Sequence, residues 1–336
     1  MLIFIITLIL FSFFLIYFQN KFSFLIDNPI KQEHKSNLNK NIPLSGGIFF
    51  FIVISACSLI TNYSFTNIIT IIFLLLFLIL GVYSDLKINF KPKIRLFYQA
   101  ILLSFLITLL KLNIEKTNIF FLDYYIDNIV FNFLFTFACI IVFLNGSNFC
   151  DGINVNLIGY YLIIIIAIYL SGLPLPIIFF KIEYIIIMFL IFYIFNLFGK
   201  YFLGDNGVYV VSIFISIYII RFINLNNDHV SSLLALNLLW YPAFENLFSI
   251  IRRKLTNQKV QTADRKHLHI LIFEKISRHN NYKISNSLSG IFLNLYMSIG
   301  IFISTFFYNR SDILLLVTLV NITLYLITYF YLLKKN

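Results

Sequence analysis

Isoleucine, leucine and phenylalanine fill long runs along the whole chain, and short polar stretches separate one run from the next. The runs are about 16–22 residues long, the length of helix that crosses a hydrocarbon layer roughly 30 Å thick. About eleven can be marked, at about 1–19, 47–62, 68–83, 96–111, 130–145, 157–172, 177–195, 207–222, 231–250, 288–307 and 313–333. A spanning segment must satisfy its backbone polar groups internally, so each run predicts a helix. The expected fold is therefore an all-α, polytopic integral membrane protein. It forms a single domain over residues 1–336, with no internal repeat and no soluble domain. The first run, "MLIFIITLILFSFFLIYF", has no basic leader and no small-residue cleavage site, so it is expected to be a retained helix.

Composition supports this and adds orientation. The chain is 60% hydrophobic and 12% charged, where soluble domains carry roughly 25% charged residues. A net charge of +11 raises nucleic acid as a partner, but the distribution of the basic residues answers otherwise. With the N-terminus outside, 20 of the 25 Lys and Arg fall in loops on the inner side and 5 on the outer. That asymmetry is the positive-inside pattern. It predicts the N-terminus out, the C-terminus in, and no nucleic-acid role. The cytosolic loops are then expected at about 20–46, 84–95, 146–156, 196–206 and 251–287. The three cysteines have neither metal nor disulfide spacing.

Every polar constellation falls on that same inner side: "DNPIKQEH", "PLSGG", "GVYSDLK", "NGSNFCDGIN", "FLGDNG" and "ADRKHLH". Asp85, Asp151 and Asp205 stand at the inner ends of apolar runs, where an acid is costly enough to raise a functional question. Each could simply cap a helix or pair with a loop lysine. Gly and Asn beside Asp151 and Asp205 let the backbone turn sharply and approach a ligand. Oxygen ligands on such turns suit Mg²⁺ or Mn²⁺, with coordination completed by water and substrate phosphate. The stretch "RRKLTNQKVQTADRKHLH" supplies the opposite sign through Arg252, Arg253, Arg265, Lys266, His267 and His269. Such donors suit a diphosphate; a solvated basic loop on anionic lipid is the alternative. His267 and His269, two apart, would not share a helix face. Lys93 and Arg95 could hold a lipid phosphate or only obey the positive-inside rule.

These motifs, in this order, resemble the polyprenyl-phosphate N-acetylhexosamine-1-phosphate transferases (MraY/WecA/TagO type, the glycosyltransferase 4 family). The resemblance runs from Asp27 to His269. It rests on "DNPIKQEHKSNLNKNIPLSGG" with His34, "GVYSDLKINFKPKIRL" with Asp85, "NGSNFCDGIN" with Asn148, Asp151 and Asn154, "FLGDNG" with Asp205, and "ADRKHLH" with Asp264, Arg265, His267 and His269. It implies a single transmembrane transferase domain in the inner membrane with its active site facing the cytosol. The implied substrates are a UDP-sugar and polyprenyl (undecaprenyl) phosphate, with UMP released and room left for a homodimer. The implied metal ligands are Asp205 and Asp151. The catalytic residues would be Asp85, Asp151, Arg265 and His267. Substrate contacts would come from His34, Lys93, Arg95, Asn148, Asn154, Asp264 and His269.

The chain departs from the family pattern at three points. Ser84 stands where the aspartate-pair motif has its first acid, Asn154 stands where some members have Asp, and the histidine loop lacks three consecutive histidines. The last departure points to the WecA-like or O-antigen-initiating subgroup. Ser84 keeps open a catalytically inactive homologue or scaffold in polysaccharide assembly, and a transporter is a third reading. A transporter would show broken helices at mid-membrane, whereas the polar motifs here lie at helix ends.

Overall fold

The computed structural model describes residues 1–27, 42–61, 64–86, 90–176, 180–256 and 266–335. The described residues form α1 (Leu2–Phe22), α2 (Gly46–Thr61), α3 (Phe65–Leu86), α4 (Pro92–Leu110), α5 (Phe120–Ile126), α6 (Ile129–Cys150), α7 (Asn156–Leu170), α8 (Ile182–Leu197), α9 (Gly204–Leu225), α10 (Leu233–Leu255), α11 (Leu268–Ser277), α12 (Tyr282–Phe306) and α13 (Ser311–Lys335). Each apolar run expected from the sequence falls on a helix. Among the described residues, eight helices are long and apolar enough to cross a membrane: α1, α3, α4, α6, α9, α10, α12 and α13. The other three runs, α2, α7 and α8, are apolar helices of 16, 15 and 16 residues.

Two helices lie outside the expected runs. α5 has 7 residues and α11 has 10, too short for a search tuned to spanning length. α11 is amphipathic: Leu268, Leu271 and Ile272 are buried, and the helix packs on α12 and α13. The expected polar stretch at 251–287 is therefore shorter than its composition suggests. α10 continues to Leu255 and α12 already begins at Tyr282.

α9 is the axis of the bundle. Every residue from Asn206 to Ile219 is buried, and a helix that is apolar all round must be enclosed on all sides. α2, α3 and α6 pack against it. Close approach needs small residues at the contact. A Cβ on Gly47 or Gly81 would overlap the Asn206 backbone, so these glycines clamp the first turn of α9 from two sides. A two-residue antiparallel pair, Ile26–Asp27 with Ile42–Pro43, closes the first polar loop at its base. Leu44 then bridges to Phe202, just before α9. One end of the bundle thus gathers the ends of α3 and α6, the starts of α4 and α9, and the connections around α11.

Candidate active site

The site begins with a helix that does not cap itself. Leu203 is the N-cap residue of α9 and makes no side-chain cap. Asp85, at the end of α3, supplies one instead. Its Oδ1 accepts from the Asp205 amide at 2.9 Å and its Oδ2 from the Asn206 amide at 3.0 Å. These are the second and third amides of the helix, the ones an N-cap side chain ordinarily satisfies. Asn206 Nδ2 donates to the same Oδ2 at 2.5 Å. Both oxygens of Asp85 are occupied in holding the start of α9.

That capping aims Asp205. Its Oδ2 accepts from Ser84 Oγ at 2.5 Å and from Arg95 Nη1 at 3.0 Å, and its Oδ1 accepts from Asn148 Nδ2 at 2.7 Å. One carboxylate therefore joins α3, α4, α6 and α9. The Asp205 side chain is still 25% exposed and Arg95 21% exposed, so both can be reached from outside the protein. Two carboxylates and one guanidinium give the cluster one formal negative charge in excess.

The donor set fits a single hard cation. A carboxylate offers about four acceptor positions, and three donors to Asp205 leave one of them for a cation. Asn148 spends its amide nitrogen on Asp205 and keeps its carbonyl oxygen for another partner. Mg²⁺ takes one or two protein carboxylates and fills the rest with water and phosphate, which matches Asp205 with Asn148 and Ser84 beside it. Among the described residues no three His, Cys, Asp or Glu side chains form a metal-holding group. Asp85, Asp151 and Asp205 therefore do not meet as a trio.

Ser84 is the departure with the clearest local consequence. Its hydroxyl donates to the exposed carboxylate where a second acid would add charge. In Ser84→Ala, Arg95 still satisfies the same oxygen. The expected loss is on the order of 1 kcal/mol, under tenfold in turnover. A loss above a hundredfold would mean the hydroxyl does more than orient Asp205.

The turn after α6 carries the next residues. Asp151 is the C-cap of α6 and lines a small cleft with Gly152, Asn154, Asn196, Phe202 and Asn286. Asn154 faces inward. Its Nδ2 donates to Ser287 Oγ at 3.1 Å and its amide to Asn286 Oδ1 at 2.6 Å, which fastens the turn to α12. Val155 follows at φ 56°, a left-handed conformation that costs a β-branched residue about 1–3 kcal/mol. Asn196 Oδ1 accepts from its amide at 2.6 Å and Asn294 Nδ2 donates to its carbonyl at 2.8 Å, which holds it there.

The same turn reaches the histidines. Asn148 contacts Asp205, and the next residue, Phe149, stacks on the His267 ring at 5.2 Å. His267 and His269 stack on each other at 5.6 Å. Two residues this close would not share a face of one helix, but His267 is the N-cap of α11, with extended backbone at φ −79° and ψ 146°, so only His269 lies on the helix. His269 rests on Gly152, where a Cβ would meet its ring. Arg253 lies over Phe149 at 6.0 Å, and Arg252 Nη1 donates to the Lys266 carbonyl at 2.6 Å. Two consecutive residues of "NGSNFCDGIN" thus contact the carboxylate and the histidine stack in turn.

Lys93 is exposed on the first turn of α4, and residues two apart on a helix do not share a face, so it stands off the side on which Arg95 meets Asp205. His34, Asp264 and Arg265 lie outside the described residues. The structure adds Asn206, which joins Gly47, Leu44 and Asp85, and Glu245, which meets His267. Glu245 had a readable signal, as a lone acid inside an apolar run.

Residues 67–223 match the family model described as glycosyl transferase family 4. Over that segment, less than half of its length, the chain is similar to glycosyl transferase family 4. This is the family of MraY/WecA/TagO-type phosphosugar transferases. The family 4 segment contains Ser84, Asp85, Arg95, Asn148, Asp151, Asn154 and Asp205, and stops before Glu245 and the histidines. Comparison with curated proteins gives no match.

Proposed function

We propose that the chain transfers an N-acetylhexosamine-1-phosphate from a UDP-sugar to undecaprenyl phosphate at the cytosolic face of the inner membrane. UMP is released, and the lipid-linked sugar starts a surface polysaccharide or O-antigen. The observation that carries this reading is the Asp205 carboxylate. It is held by donors from three other helices and left 25% exposed, and Asn148, one of those donors, precedes Phe149, which stacks on His267.

Two anionic substrates repel, and a site that joins them must supply positive charge. A divalent cation at Asp205, with Asn148 and Ser84 beside it, would neutralise the diphosphate and polarise the attacked phosphorus. Arg95 at the α3–α4 end meets the lipid phosphate in this reading, and His267, His269 and Arg253 meet the nucleotide. A phosphate monoester loses its second proton near pH 6, by analogy with phosphoserine, so at neutral pH the lipid phosphate is mostly a dianion. Its oxygen attacks the phosphorus that bears the sugar. The bond from that phosphorus to the bridging oxygen breaks, and UMP leaves with that oxygen. One P–O bond forms and one breaks. No strong base is required, so Ser84 is compatible with activity.

Membranes carrying the chain, supplied with undecaprenyl phosphate, Mg²⁺ and a panel of UDP-N-acetylhexosamines, should release UMP from at least one of them. Silence across the panel in a folded preparation would overturn the reading. His267→Ala should raise the KM for the UDP-sugar about tenfold, the worth of one charge-assisted hydrogen bond, with the KM for lipid phosphate unchanged. The reverse pattern would move His267 to the lipid side.

A further inference from the structure

Glu245 is fully buried in α10, and its two oxygens each meet one partner. Tyr325 of α13 donates to Oε2 at 2.6 Å, and His267 Nδ1 lies 2.8 Å from Oε1. Ser249 Oγ stands 3.4 Å from the same ring nitrogen. Phe149 and His269 stack on the His267 ring and limit its tilt. A buried carboxylate is costly, and an apolar residue at the same place would avoid that cost. Two positioned partners offset it here, and one of them belongs to the basic group proposed to hold the nucleotide.

We infer that Glu245 is a positioning residue for His267, holding Nδ1 so that Nε2 is the nitrogen offered to the nucleotide diphosphate. The inference rests on the proposed function. Its chemistry is that of a ring with two distinguishable nitrogens. The Nδ1–H donates to the Glu245 carboxylate, which fixes which way the ring faces, and Nε2 donates to a diphosphate oxygen when the ring carries a proton on both nitrogens. Without the carboxylate the ring can turn over, and the diphosphate meets the wrong nitrogen for part of the time. Glu245, His267 and Tyr325 all lie beyond residue 223, where the family match ends. The nucleotide side of the site therefore extends to the last helix of the chain.

The test is UMP binding by calorimetry on the purified full chain, which requires no turnover. Native protein, Glu245→Gln, His267→Ala and the double variant form a cycle. Each single change should weaken UMP about tenfold, and the double variant should bind no more weakly than His267→Ala alone, because Glu245 acts only through His267. Additive losses, or no loss in Glu245→Gln, would overturn the inference. Glu245→Asp guards against a folding artefact: it keeps the charge but is one methylene too short to reach Nδ1. It should reproduce the loss, and native affinity in that variant also overturns the inference. Tyr325→Phe removes the other donor while leaving the histidine contact, and should stay within about twofold of native. A chain that binds UMP and obeys the cycle but turns over no UDP-sugar refutes the transferase reading alone. A native chain that binds no UMP refutes both.

Discussion

Asp205→Asn is expected to fold and insert normally and to retain almost no turnover. The asparagine oxygen can still accept from Ser84 and Arg95, and the Asn148 amide can rotate to meet the new nitrogen, so the contacts at 2.5, 3.0 and 2.7 Å have substitutes. What disappears is the negative charge at the reachable point of the cluster. Cation stabilisation of a developing phosphoryl charge is worth several kcal/mol, and about 4 kcal/mol corresponds to roughly a thousandfold. UMP release should fall by about that factor, and Mn²⁺ affinity followed by electron spin resonance should fall with it. Native-like turnover of this variant in Mg²⁺ would remove Asp205 from the metal role.

The second large effect separates two roles for Asp85. Asp85→Ala leaves the second and third amides of α9 without their acceptor, while the Asn206 side chain keeps the Leu44 carbonyl. Each buried group so orphaned costs about 1–3 kcal/mol, and the turn that aims Asp205 loses its anchor. Turnover should drop at least about a hundredfold and the melting temperature should fall. Asp85→Asn is the informative partner, because its one oxygen still accepts from one of the two amides while its NH2 meets the other donors. If Asp85 works by holding α9, the asparagine variant should lie between native and the alanine variant in both turnover and melting temperature. An asparagine variant as silent as the alanine one would mean that the charge itself is needed, at the lipid phosphate or the metal. The positioning role would then be wrong.

The sequence revealed the long elements and the neighbourhoods, and it missed the contacts between them. A bilayer demands unbroken apolar runs, so the helices that carry Asp85, Asn148 and Asp205 could be placed from pattern alone. α5 and α11 could not, because a short helix packed on its neighbours carries too little periodic signal. The motif residues were visible as types, but their division of labour was not. Asp85 is spent on a helix start 120 positions away, and no local spacing encodes such a cap. Asn154 reads as a ligand beside Asp151, yet its amide is tied to Ser287. His267 and His269 would not share a face if one helix held both, but the helix begins between them, and no local pattern marks that start.

The cap that Asp85 places on α9 also bears on how the protein is made. The two partners are 120 residues apart, and at about 5–20 residues per second the ribosome needs roughly 6–24 s to cover that distance. For that interval α3 exists without the amides that later occupy its terminal carboxylate. An ionised acid cannot wait in hydrocarbon, so the end of α3 has to rest at the water boundary until α9 arrives. The depth of α3 is then set early, by the solvation of one side chain. The later helices dock onto a stake already driven at the membrane surface.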